Sequence, residues 1–175
     1  MFDRDDDMKI YEGEPLPPEL TPGEESAQQY VAHRENGNLE KTRQMGELLA
    51  QTLVGDSARL DGDPYHRQKL VLLSFLVSDE LEAGLADGIL LKSAAAAFRN
   101  KVEKLSPEIF SVITDSTAFT LYILHDRKVG DDQCGKVLAE LCERDGDEDL
   151  IREGNALAEE YRALFSGIIR SYTFK

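Results

Sequence analysis

No run of apolar residues in this 175-residue chain approaches the ~20 needed to span a bilayer; the longest, Leu70 to Val77, is interrupted by Ser74. Cysteine is scarce. Cys134 and Cys142 stand eight apart on one expected helix, about 12 Å along its axis and too far for an intrahelical disulfide. They form neither a CxxC pair nor a zinc spacing, so two free thiols in a reducing compartment are expected. Lysines and arginines nowhere cluster, which leaves no basic face for nucleic acid or an anionic membrane. Residues 1–14 are acidic where a secretory leader is basic and then apolar, and neither end carries a lipidation signature. The expected location is cytoplasmic. No P-loop, GxGxxG, GxSxG or Glu-x-x-His pair is present, and no nucleophile stands beside a base in sequence.

What the chain does have is acid, concentrated in two places. Residues 1–25 hold nine acids against Arg4 and Lys9, and residues 131–153 hold nine against three bases, so these segments account for nearly all of the net charge of −14. Such segments favour solubility and a basic partner surface. Residues 1–20 combine Asp3, Asp5, Asp6 and Asp7 with Pro15, Pro17 and Pro18, a composition that cannot bury enough apolar surface to fold alone. An extended acidic tail is expected there, with residues 21–175 as one domain. A chain of this length buries roughly 70% of its unfolded surface, enough to hold a core without metal or disulfide.

The remaining pattern is helical. From Leu150 to Tyr172, the apolar positions Leu150, Leu157, Tyr161, Leu164, Phe165 and Ile168 share a stripe of roughly 140°, with Glu153, Glu159, Glu160, Arg162 and Arg170 outside it. Gly154 lies on that stripe, where a neighbouring helix can approach closely. Thr21-Pro22-Gly23-Glu24 offers a capping box for a first helix running to Val54, interrupted at Gly37-Asn38 and readable as one helix or two. A second opens at Asp63-Pro64 and is apolar on all sides from Leu70 to Val77, which marks a central element. A third spans Gly88 to Leu105, with Ala94–Ala97 as a flat contact surface and Phe98 as its anchor. Ser106-Pro107 caps a fourth that runs to Leu124. Its Ile, Val, Thr and aromatic residues are also compatible with a hairpin turning at Asp115-Ser116-Thr117, but the helix is favoured. A fifth runs from Asp131 or Asp132 to Glu143, and a sixth from about Glu148 to Tyr172. Helix starts are unevenly spaced, which excludes a solenoid array. The expected architecture is an all-α, single-domain bundle of five to six helices behind an extended acidic N-terminal tail.

Three function classes follow. The favoured one is a noncatalytic module that binds a protein partner or a second copy of itself, with Tyr30 and Val31 as exposed contact points and no cofactor. The second rests on the His125-Asp126 doublet that ends Tyr122-Ile123-Leu124-His125-Asp126. This resembles the doublet of the HD phosphohydrolase superfamily, although Arg127-Lys128 follow where that family continues with Gly-Lys. The resemblance implies an all-helical fold in which a divalent metal activates water against a phosphate ester. His66, His125 and Asp126 would be ligands, and Asp145 or Asp147 the later aspartate. The third is a small-ligand binder whose pocket is lined by Ser116, Thr117 and Thr120, placed by helical spacing on the face of Ile109, Ile113 and Leu124. Two other features read as structure. Asp145, Asp147 and Asp149 alternate as the first calcium-loop ligands do, but Leu150 and Ala156 occupy the positions that need Gly and Glu. His33 has no partner evident in the sequence.

Overall fold

The computed structural model describes residues 21–56, 62–114, 117–129 and 133–175, with the side chains of 125–129 not included. The described residues form eight helices and no strand: α1 (Pro22–Glu35), α2 (Asn38–Asp56), α3 (Pro64–Gly84), α4 (Gly88–Leu105), α5 (Pro107–Thr114), α6 (Ala118–Val129), α7 (Cys134–Leu141) and α8 (Glu148–Arg170). None is long and apolar enough to cross a membrane. The expected acidic tail, residues 1–20, lies outside the described residues.

Local chemistry sets most of the boundaries. Thr21 caps α1 by accepting from the Glu24 amide, while the Glu24 carboxylate accepts from the Thr21 amide at 2.9 Å, completing the capping box. Asn36 closes α1, and Gly37 turns the chain at φ 73°, a left-handed conformation that glycine adopts without strain. The Gly37-Asn38 signal therefore divides the first helical segment in two. Asp63, Asp87 and Asp147 cap α3, α4 and α8 by accepting from the first free amides of each.

The expected fourth helix needs correcting. It is two helices, α5 ending at Thr114 and α6 beginning at Ala118, so the six expected segments become eight helices among the described residues. The segments on either side of Asp115-Ser116-Thr117 are helices rather than the strands of the alternative hairpin, and Asp115 and Ser116 lie outside the described residues. Propensity for strand in Ile109–Leu124 yields to packing: Ile109, Ile113, Ala118 and Tyr122 are buried by helical spacing.

α3 is the axis of the molecule. Every residue from Leu70 to Val77 is buried, because α2, α4, α5, α6, α7 and α8 all pack against this helix. Phe75 stacks on Tyr122 with ring centroids 5.5 Å apart and meets Phe119 edge-on at 5.8 Å, which seats α6 on α3. Arg162 of α8 pairs with Asp79 and Glu80 of α3. The most extensive pairing is α2 with α4. A Cβ on Gly46 of α2 would lie 2.8 Å from the Phe98 amide nitrogen and closer still to the Ala94 carbonyl, so the alanine surface of α4 lies directly against the α2 backbone. α7 and α8 cross in the same way at Gly135 and Gly154. One continuous apolar cluster draws on α2 through α8; α1 contributes no buried residue.

Candidate functional site

In the fourth segment the polar group that enters the interior is the Tyr122 hydroxyl, buried and without a hydrogen-bond partner among the described residues. Thr120 is exposed, Thr117 is exposed, and Ser116 lies outside the described residues. Elsewhere among the described residues, Asn38, Thr42 and Ser74 are the buried polar residues. Thr42 bonds Ser93 at 2.8 Å across the α2–α4 contact, and Asn38 anchors a second network. The Asn38 amide donates to the main-chain oxygen of Lys175 at 2.8 Å and accepts from the Lys175 amide at 3.2 Å. This two-way pairing fixes which end of the amide carries nitrogen. Its other hydrogen therefore points at His33 Nδ1, 3.1 Å away, which must be an unprotonated acceptor. The proton is then on Nε2 and is donated to Asp87 at 3.0 Å. Backbone amides of Leu90 and Ile89, with His33, hold the Asp87 carboxyl below its ordinary pKa, the Leu90 bond contributing most. His33 thus connects Asp87 and Asn38, partners that come from 54 and five residues away.

A groove of about 460 Å³ opens between α3, α4, α5 and α6. α4 gives its main contact surface to α2 and meets α3 much less beyond the corner at Leu85–Asp87. Leu81, Ala95, Phe98, Ile113 and Phe119 give it an apolar floor. Ser74, Ser78, Glu82, Arg99, Thr114 and Thr120 supply polar groups around that floor. Ser78 and Thr114 direct their hydroxyls to the carbonyls of Ser74 and Phe110, one turn back. Ser74 is different. It is 5% exposed, it lines the groove, and its hydroxyl has no hydrogen-bond partner among the described residues. Arg99 and Glu82 likewise form no ion pair among the described residues. The volume falls within the ~300–1,000 Å³ of small-molecule sites, and an apolar wall with a few open polar groups is their usual lining. The signal in the sequence was Ser74 itself, the one hydroxyl in an all-round apolar run.

A second cavity of about 420 Å³ lies where the start of α3 meets the α7–α8 corner, lined by Asp63, Tyr65, Cys142, Arg144 and Glu153 among others. Its polar groups are already matched. Tyr65 donates to Glu153 at 2.5 Å, Arg144 pairs with Asp147 at 2.5 Å, and Asp63 accepts from the Tyr65 amide at 2.9 Å. Burial pushes the Cys142 thiol up, which keeps it protonated rather than nucleophilic. Neither cysteine forms a disulfide among the described residues.

The three metal candidates stand as follows. His66 sits in the first turn of α3, half-buried, with its ring edge-on to Tyr65 at 5.5 Å. His125 and Asp126 fall in the last turns of α6, and their side chains lie outside the described residues. Among the described residues no three His, Cys, Asp or Glu side chains converge as metal ligands. Asp147 accepts from the Asp149 and Leu150 amides and pairs with Arg144, while Asp149 pairs with Arg152, so both serve the start of α8.

Burial also shapes alkaline behaviour. It raises the hydroxyls of Tyr65, Tyr122 and Tyr161 above the ordinary tyrosine range, aided in Tyr161, pushed up to about 12, by the hydrogen bond to Asp56 at 2.9 Å. A raised acid favours the neutral form in the fold, so this stability is intact below pH 10 and is lost as pH rises through the folded values. Tyr161 alone withdraws roughly 2–3 kcal/mol between pH 10 and 12. Tyrosinate absorbance and circular dichroism followed together will show these rings ionising with unfolding. Full ionisation at pH 11 with the helix signal intact would refute it.

Comparison with known proteins adds no relative: no family model matches the chain, no curated protein matches it, and no solved structure matches its fold.

Proposed function

We propose that the protein is a noncatalytic helical binding module whose receptor site is the groove between α3, α4, α5 and α6. The observation that supports this reading is the layering of that groove: an apolar floor, with the Ser74 hydroxyl, Arg99 and Glu82 left open to a ligand. Burial of an apolar ligand body on Phe98 and Phe119 supplies affinity at roughly 25 cal/mol per Å², and the open polar groups supply orientation. Nothing in this arrangement needs a reacting group.

A second contact surface is favoured by α1. Its 14 residues bury nothing, and Tyr30 and Val31 stand 50% and 42% exposed on it. A helix of that length is marginal in water without packing, capping box or not, so a protein partner or a second copy covering Tyr30 and Val31 would stabilise it.

One set of samples tests both surfaces. The chain has no tryptophan, so Phe119→Trp places a single reporter in the groove wall. Titration with 1-octanol is expected to shift its emission saturably, and Ala95→Trp, which fills the groove, is expected to remove octanol binding measured by calorimetry. An unresponsive reporter, or octanol binding that survives Ala95→Trp, would count against the groove. Sedimentation of the same samples beside a Tyr30→Ser/Val31→Ser variant reads self-association through α1; identical monomers throughout would argue against a second copy there.

A further inference from the structure

We infer that the groove takes a small amphipathic monocarboxylate, its carboxylate held between Arg99 and Ser74 and its apolar body directed toward the α3–α4 corner. This rests on the groove reading above and adds the ligand's class and direction.

The direction comes from register. α3 ends at Gly84 and α4 begins at Gly88, so both helices leave one corner. Ser74 lies ten residues back along α3, about 15 Å, and Arg99 lies eleven residues along α4, about 16 Å. The two lie at similar distances from the corner along their helices, and both line the same groove. Glu82 is two residues from the end of α3, beside the corner. The charges are therefore separated: a cation with the Ser74 hydroxyl, which has no hydrogen-bond partner among the described residues, at one end, and an anion at the other.

An arginine guanidinium presents parallel N–H donors that match a carboxylate in two-point fashion. The Ser74 hydroxyl adds a third donor. In the reverse direction, a cationic head would meet Glu82 near the corner, but its tail would then cross Arg99 and bury the unmatched Ser74 hydroxyl, which is costly. Leu81, near the corner, and Ile113 receive the apolar body, and Phe119, packed on Phe75, lies beside the head group. Glu82 at the far end repels a second carboxylate, which selects a monoanion over a diacid.

Three eight-carbon probes that differ in head group test this on the full chain carrying the Phe119→Trp reporter: octanoate, 1-octanol and octylammonium. Octanoate is expected to bind at least tenfold more tightly than either of the others. Arg99→Gln is expected to bring octanoate to the level of octanol while leaving octanol affinity unchanged, a result that misfolding would not give. Octanediate binding, weak in the wild type, is expected to strengthen in Glu82→Gln. If octanol matches octanoate, or if Arg99→Gln leaves octanoate untouched, the carboxylate assignment falls and the groove reading stands. If octylammonium binds best, the assigned direction is wrong. If none of the three binds, the groove reading itself falls.

Discussion

Gly135→Ala will lower the stability of the protein by about 3–5 kcal/mol, the largest effect expected of so small a change. A Cβ at this position of α7 would lie 2.8 Å from the carbonyl carbon of Ile151 in α8, closer still to that carbonyl's oxygen, and 2.7 Å from Asn155 Oδ1. Two of those three atoms are backbone and cannot rotate away. Overpacking usually costs about 1–3 kcal/mol when flexible side chains can yield, so a backbone collision belongs at or beyond the top of that range. Separating the helices also breaks the hydrogen bond from the Gly135 amide to Asn155 Oδ1, 2.7 Å long, and a buried donor left unmatched costs a further ~1–3 kcal/mol. Gly154→Ala makes the same collision from the other side, its Cβ falling 2.7 Å from Gly135 Cα. Gly167 is the internal control. It lies on the same helix as Gly154 with open space around its Cβ position, so Gly167→Ala is expected to stabilise by roughly 0.5–1 kcal/mol through helix propensity alone. Thermal melts of the three variants decide the matter. For a chain of this size the Gly135→Ala midpoint should fall by about 10 °C or more. A midpoint within 2 °C of wild type would mean that α7 and α8 do not touch backbone to backbone.

Asn38→Ala is expected to cost about 2–4 kcal/mol, although it deletes only one small amide. Asn38 is fully buried, and three groups depend on it: His33 Nδ1 and both main-chain atoms of Lys175. Removing one partner of a buried hydrogen bond leaves the others desolvated and unmatched, which costs more than the bond contributed when made. The effect should also be regional. Residues 172–175 are held against the start of α2 by Asn38 and by the bond from Lys41 to the Thr173 carbonyl at 2.5 Å, so amide exchange there should accelerate at least tenfold. A His33→Ala/Asn38→Ala double variant should cost clearly less than the sum of the single changes, because both belong to one network. Additive losses, or unchanged exchange at the C-terminal residues, would show that the network is not coupled.

How much of this could be read beforehand depended on range along the chain. The caps at Thr21, Asp63 and Ser106, the breaks at Gly37 and Gly84, and the all-round apolar run of α3 are set by residues within a turn of one another. Gly154 and the Ala94–Ala97 surface were also legible, because a missing or minimal side chain on a helix stripe has few uses besides close packing. The fourth segment misled, since β-branched residues speak equally for a strand and for a tightly packed helix. His33 read as exposed and solitary because its partner Asp87 is 54 residues away and no local pattern connects them. The groove was half visible: Thr120 was placed in a pocket, but Arg99 and Glu82 join it only through the packing of α3 and α4, a tertiary property. The His125-Asp126 doublet falls where side chains are not described, and His66 is placed at the far end of α3 from the groove.

The central position of α3 carries a cost that appears before the protein is folded. Synthesis proceeds from the N-terminus, so Leu70–Val77 leaves the ribosome after α1 and α2, while α4 to α8, most of its cover among the described residues, have still to be made. An eight-residue apolar stretch broken by a single serine is, in that interval, a site for chaperone capture or for aggregation with neighbouring nascent chains. The segment that makes the finished molecule cohesive is its chief hazard during manufacture, and slowing translation after residue 84 should lower soluble yield more than slowing it anywhere before residue 64.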